Sequence, residues 1–317
     1  MAGFVLRRVL QTLLVLLVMS FVIYGLIGLM PGDPIDLMMA SNPGMTPAAA
    51  ERLRAIYGLD QPLLLRYARW LQAALSGDLG YSRIHSRPVL EVMGPALWQT
   101  TKLMLGGFTL AVLMALAFGT LAALRPGGWA DGVISVMALA GVSVPVFWLA
   151  LLFILVFAVQ LHWLPAGGAA TVGDGGTADV LQHLVLPVLT LALSTAGQFV
   201  RYVRAAMVDV LRQDYVRTAR AKGAGEGRVV RVHALRNAMI PVVTVVALSF
   251  GTLFGGALIT ETMFAQPGMG KMIYDAILGN DFNLALSGLL FATLVTLASN
   301  LLADLAYGWL DPRISLE

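Results

Sequence analysis

The stretch Ala265-Gln-Pro-Gly-Met-Gly-Lys271-Met272 is the nearest approach to nucleotide chemistry in this 317-residue chain. Its glycines and lysine imitate a phosphate-binding loop, in which backbone N–H groups cradle phosphates and the lysine reaches the terminal ones. Such a loop also needs Ser or Thr after the lysine to hold magnesium, and a strand before it. Met272 stands in the first place and an apolar helical window in the second. The stretch therefore reads as a turn and a short gate helix, and no nucleotide is expected on this chain. Four histidines, His85, His162, His183 and His233, could ligate a metal, but no two have helical ligand spacing. The chain has no cysteine, which removes thiol nucleophiles, disulfides, iron–sulfur ligation and cysteine zinc sites. Lys102, Glu261 and Asp304 lie at the edges of long apolar windows. Ionisable groups inside a membrane suggest ion coupling; at window edges these three read as head-group-level anchors or helix caps. The core of each window holds no carboxylate for a proton relay.

Whatever positions these residues is overwhelmingly apolar. Hydrophobic residues make up 58% of the chain and charged residues 12%, and the mean hydropathy is +0.79. Soluble domains carry roughly 25% charged residues, so a soluble enzyme and a disordered chain are both excluded. Six windows lack Asp, Glu, Lys and Arg: Val9–Gly32, Leu103–Leu124, Gly132–Gly173, Val180–Val200, Asn237–Thr260 and Phe282–Ala303. About 20 apolar residues cross a bilayer as a helix, and the windows lack the alternation of a β-barrel strand. The third is too long for one span and runs into a glycine-rich loop after Leu164-Pro165. Pro145 and Pro187 lie in or near spans, where kinks are tolerated if neighbours cover the freed carbonyls. Trp148, Trp163 and Trp309 read as interface anchors. Gly251-x3-Gly255 with Gly256 permits close helix packing; together with Glu261 these glycines are the candidates for packing or for lining a pathway.

Orientation follows the basic residues. Arg7 and Arg8 flank the first span, and Arg201–Arg236 holds nine basic residues against three acids. The segment Pro31–Pro95 is balanced at six and six. The expectation is six spans with both termini cytoplasmic. The Pro31–Pro95 segment would lie outside, with turns at Pro31-Gly32-Asp33-Pro34 and Asn42-Pro43-Gly44. It would carry a helix over Thr46–Tyr57, capped by Thr46 and stopped at Gly58, and an amphipathic helix over Leu63–Leu75. This segment reads either as a lid on the membrane surface or as a docking surface for a soluble partner. On the other side, Asp214-Tyr215-Val216-Arg217-Thr218-Ala219-Arg220-Ala221-Lys222-Gly223 reads as a short helix between breaks, followed by Gly225, Gly227 and a basic stretch from Arg228 to Arg236. A continued fourth span before it would place Arg201, Arg204 and Arg212 on one side, with Val203, Met207, Val210 and Leu211 on another. The small residues Thr218, Ala219 and Ala221 would let another protein approach closely. A basic loop on anionic lipid head groups is the competing reading.

The same segment resembles the cytoplasmic coupling motif of ATP-binding-cassette importer permeases. Gly223 matches the central glycine, Ala219 the second alanine and Leu235 the late leucine. Arg217, Thr218, His233 and Arg236 depart from the general motif. The run Asp214–Gly223 followed by His233–Pro241 looks like the dipeptide/oligopeptide/nickel branch. Further agreement comes from Pro31–Pro34, Tyr57–Pro62, Gly77–Gly80, Pro145–Trp148, Glu261–Gly270 and Asp311–Arg313. The resemblance implies an all-α integral membrane protein with the type I importer permease fold. Residues 1–30 would form the first transmembrane helix, 31–95 an extracytoplasmic segment, 96–310 the core and 311–317 a cytoplasmic tail. The core would have spans at about 103–124, 133–161, 182–204, 237–260 and 282–303, with a coupling segment at 205–236. The implied partners are a second permease, two ATPase subunits that bind the ATP and Mg, an extracytoplasmic binding protein and the lipid membrane, with no nucleic acid. The implied cargo is a short peptide, moved by alternating access in the bacterial inner membrane. Glutathione, nickel chelates and opine-like solutes stay open, as do an ion-driven secondary transporter and a membrane scaffold without transport.

Overall fold

A computed structural model describes residues 2–29, 46–56, 60–173 and 175–310, with Ile35, Met39 and Gly44 as isolated positions. The turns expected at 31–34 and 42–43, the stop at Gly58 and the tail 311–317 lie outside the described residues. Helix α1 (Ala2–Ile27) exposes Leu6, Leu10, Leu13, Leu14 and Leu17 and buries Ile23, Tyr24 and Ile27. An exposed stripe of leucine is stable only where lipid is the solvent. Thr46 caps α2 (Pro47–Ile56), its Oγ1 accepting from the Ala49 N–H at 3.2 Å. The amphipathic α3 (Leu63–Leu75) sets Tyr67 and Trp70 against Phe21 and Tyr24 of α1. A two-residue hairpin, β1 (Tyr81–Ser82) and β2 (Arg87–Pro88), pairs Tyr81 with Pro88.

Helix α4 (Val89–Met114) continues through a π-helical turn (Ala115–Gly119) into α5 (Thr120–Leu124). It therefore begins 14 residues before the apolar window at Leu103, inside the segment expected to lie outside the membrane. Next come α6 (Trp129–Ser143) and α7 (Val146–Phe153), the latter extended by π-helical Ile154–Gln160. Where the sequence suggests one span over 133–161, these two helices bend by 104°. The cause is Pro145: it offers no N–H and pushes Val144 into extended backbone (φ −78°, ψ 125°), which ends α6.

The 35-residue α8 (Thr177–Leu211) runs the full height of the bundle, about 52 Å at 1.5 Å per residue. It passes through Pro187 without a break. That proline has no N–H for the carbonyl of His183, and the side-chain amide of Gln266 donates there instead at 3.1 Å. After α8 come α9 (Asp214–Ala221), the single turn α10 (Glu226–Arg228) and a π-helical stretch (Val229–Leu235). The chain ends with α11 (Arg236–Met263), α12 (Met269–Leu278) and α13 (Phe282–Leu310). Among the described residues, five helical stretches are long and apolar enough to cross a membrane, six if the bent pair counts as one.

Helix α8 is the hub, packed against α4, α6, α7 and α11, while α1 leans on α13. The interior divides by height. Leu103, Met269, Ile273 and Leu286 fill the end that carries α12. Ala111, Phe199, Val203, Met207 and Ala234 fill the end that carries α9.

Candidate functional site

Two assemblies, one at each end of the bundle, hold the chain's chemistry-bearing side chains. At the first, α9 is an eight-residue helix that must be closed locally, since isolated helices this short are marginal. Asp214 sits in its first turn, where a negative charge suits the helix dipole, and pairs with Arg217 at 3.0 Å. The far end is closed by the backbone. The Gly223 N–H bonds the Arg220 carbonyl (2.9 Å) and the Ala224 N–H bonds the Ala219 carbonyl (3.1 Å), a Schellman ending. Gly223 has φ +83°, in the left-handed region where any side chain is strained. Beyond it, the Arg220 guanidinium grips Glu226 of α10 with two bonds, of 2.7 and 3.1 Å.

One residue pins α9 to the bundle: Val216, fully buried, on the side facing the π-helical Val229–Leu235. Asp214, Tyr215, Arg217, Thr218, Ala221 and Lys222 are all exposed, and Ala219 is half-buried. The expected helix with a small, accessible face is therefore present as geometry. Arg201 and Arg212 are exposed, but Arg204 is not part of a free basic face. Its Nη2 reaches Asp131 Oδ2 at 2.7 Å and its Nε the other oxygen, tying α8 to the start of α6. Asp131 is buried and also accepts from the Gly127 N–H at 2.8 Å. Sequence reading missed this pair, whose members lie 73 residues apart.

The second assembly surrounds Glu261, which is fully buried. One carboxylate oxygen accepts from the Thr100 hydroxyl; the other accepts from the N–H groups of Gly270 (2.8 Å) and Lys271 (3.1 Å). The Thr100 oxygen in turn accepts from the Met269 N–H at 2.7 Å. Gly268 leaves room for the carboxylate: a Cβ there would sit 2.1 Å from its Oε1. Beside it, Gln266 is fully buried. Its amide nitrogen donates to the carbonyls of Gly168 (2.7 Å) and His183 (3.1 Å), and its oxygen accepts from Gln99. The near-match to a phosphate loop is thus a turn whose N–H groups are already occupied, those of Met269, Gly270 and Lys271 by this chain's own side chains and those of Gln266, Gly268 and Met272 by its backbone carbonyls.

The other candidates are dispersed. His183 is a satisfied interior residue, its Nδ1 2.9 Å from the Asp179 carbonyl. Among the described residues, no three His, Asp or Glu side chains gather as a metal site. Lys102 lies half-buried within α4. Asp304 lies on α13 and Gly251, Gly255 and Gly256 on α11; the surroundings of these four are outside what the structure describes.

A helical bundle that crosses the membrane several times, with a small closed helix mounted at one end, is the architecture of a multi-pass membrane subunit. The chain belongs to the family described as "Binding-protein-dependent transport system inner membrane component", whose model matches residues 115–316; the companion N-terminal model matches residues 1–94. It is thus an ATP-binding-cassette importer permease of the bacterial inner membrane, a transport subunit rather than an enzyme, as the motif resemblance implied. Among curated proteins it is 40% identical over 318 residues to a putative peptide permease protein of Brucella ovis, covering all of both chains. It is 36% identical to the oligopeptide transport system permease protein AppB of Bacillus subtilis, covering 99% of both. It is 35% identical to the dipeptide transport system permease protein DppB of Alkalihalophilus pseudofirmus, again over 99% of both. A solved amino acid ABC transporter chain, crystallised with histidines, is similar over 68% of this chain and 92% of its own, at 16% identity and a TM-score of 0.49.

Proposed function

We propose that this chain imports short peptides as one half of a two-permease channel, and that α9 is its contact with a cytoplasmic ATPase subunit. The observation that carries the coupling role is the build of α9: closed at Gly223, fastened by Val216 and the Arg220–Glu226 pair, and otherwise exposed. A helix so constructed transmits a push to α8 and to the π-helical stretch leading into α11. The names of the relatives support a peptide cargo. In this reading the N-terminus, α9 and the tail 311–317 face the cytoplasm, and residues 31–88 and α12 face outward. A second, related permease completes the channel, a binding protein delivers cargo, and ATP and Mg reside on two ATPase subunits while this chain binds no cofactor. ATPase closure drives α9, and the helices rock between outward and inward access.

The test uses the assembled complex in proteoliposomes, with labelled dipeptide and ATP. Deleting Thr218–Ala221, or replacing Gly223→Val, is expected to abolish uptake while the chain still inserts. Unchanged coupling of hydrolysis to uptake in both variants would refute the assignment of α9.

A further inference from the structure

The first turn of a helix leaves N–H groups without intrahelical partners, and a cap normally comes from the residue just before it. Helix α12 is different. Gly268 stands at its cap position and offers no side chain. Its first three N–H groups are instead taken by side chains of two other helices. Met269 donates to Thr100 of α4, and Gly270 and Lys271 donate to Glu261 of α11. The two acceptors are themselves joined, because the Thr100 hydroxyl donates to the Glu261 carboxylate. The Met269, Gly270 and Thr100–Glu261 bonds are buried, where no water replaces a lost partner, and the Lys271 bond is part-buried. The far end of α12 is fastened as well: Arg83 of the hairpin loop donates to the Gly279 carbonyl, and Asp281 accepts from the Ser82 hydroxyl and the Ile84 N–H.

We propose that Thr100 and Glu261 are positioning residues that cap α12 from outside and weld α4, α11 and α12 into one block that moves as a unit during transport. A short helix at the mouth of a channel invites the idea of a flap that swings independently. Swinging α12 away from α4 alone would strip the Met269 N–H of its partner Thr100, and swinging it away from α4 and α11 together would strip Met269, Gly270 and Lys271 at once, leaving donors unsatisfied. Access on this side then changes by displacement of the whole block, with the cap intact in both states.

The proposal rests on the importer reading for the source of motion, so the experiment separates the two. The chain has no cysteine of its own, and Trp98 of α4 and Tyr274 of α12 are exposed. Spin labels at Trp98→Cys and Tyr274→Cys, in the assembled complex in lipid nanodiscs, report the α4–α12 distance in the nucleotide-free and ATP–vanadate-trapped states. The expected result is one narrow distribution, the same in both. A trapped-state distance outside the nucleotide-free distribution would overturn the proposal without any further substitution. Adding Thr100→Val, which keeps the shape and removes the hydroxyl, is expected to broaden the distribution and lower uptake per ATP several-fold. Thr100→Ser should restore both. A Thr100→Val distribution as narrow as the unsubstituted one also refutes the claim. Failure of the importer reading would appear differently, as no ATP-driven uptake by the unsubstituted complex, and would leave the distances readable.

Discussion

The two ends of the bundle are held together by opposite means. Around Glu261 and Gln266, polar groups from α4, α8, α11, α12 and the Gly168 loop satisfy one another, and most of the bonds span a long stretch of sequence. Around α9, the hydrogen bonds and ion pairs join residues at most six apart in the chain, most side chains are exposed, and a single valine provides the burial. The first arrangement resists local movement because removing one partner strands others without water. The second costs little to perturb locally, yet keeps its shape because the backbone closes it. A transport subunit needs both: a part that does not deform, and an accessible part that another protein can grip.

The contrast yields an ordered set of expectations. Gln266→Leu should have the largest effect on stability, because it leaves the carbonyls of Gly168 and His183 and the Gln99 amide without partners; a loss of about 3 kcal/mol or more is expected. Thermal unfolding in detergent should show it as a clear drop in Tm. Arg204→Leu comes next. It strands the buried Asp131, but Arg204 is about a third exposed, so about 2 kcal/mol is expected rather than the full cost of breaking a buried pair. Asp131→Asn in the same chain should recover part of the loss, measured by the same melt. Gly223→Ala should cost about 1 kcal/mol locally, from the left-handed backbone, with a small Tm change and a measurable fall in uptake per ATP. Glu226→Gln should be smallest, because the Arg220 pair is exposed and screened by solvent; its Tm should match the parent's, and raising salt should reduce any difference in uptake. If Gly223→Ala lowered Tm more than Gln266→Leu, the contrast between the ends would be wrong.

What could be read from the sequence follows the same division. The α9 helix is local: an acid in its first turn, small residues, a glycine at its stop, all within ten positions. Thr46 with Pro47, and the amphipathic run Leu63–Leu75, are legible for the same reason. The cap on α12 was only half legible. Glu261 reads as an anchor or a cap from its place at a window edge, but its partner Thr100 is 161 residues away and carries no signal of its own. The Asp131–Arg204 pair is invisible for that reason, and Arg204 reads as one more surface charge. The two prolines show the limit most clearly. Pro145 and Pro187 look alike in sequence. One turns the chain by 104° and the other leaves a helix unbroken, and at Pro187 a glutamine 79 residues downstream covers the freed carbonyl.

That glutamine makes the continuity of α8 conditional. A proline in mid-helix is a latent joint, and this one is held closed by a side chain belonging to a different part of the molecule. Any event that draws the Gln266 turn away leaves a bare carbonyl at His183 and a helix free to flex at that point. The continuity of this 35-residue helix is thereby slaved to the placement of a five-residue turn.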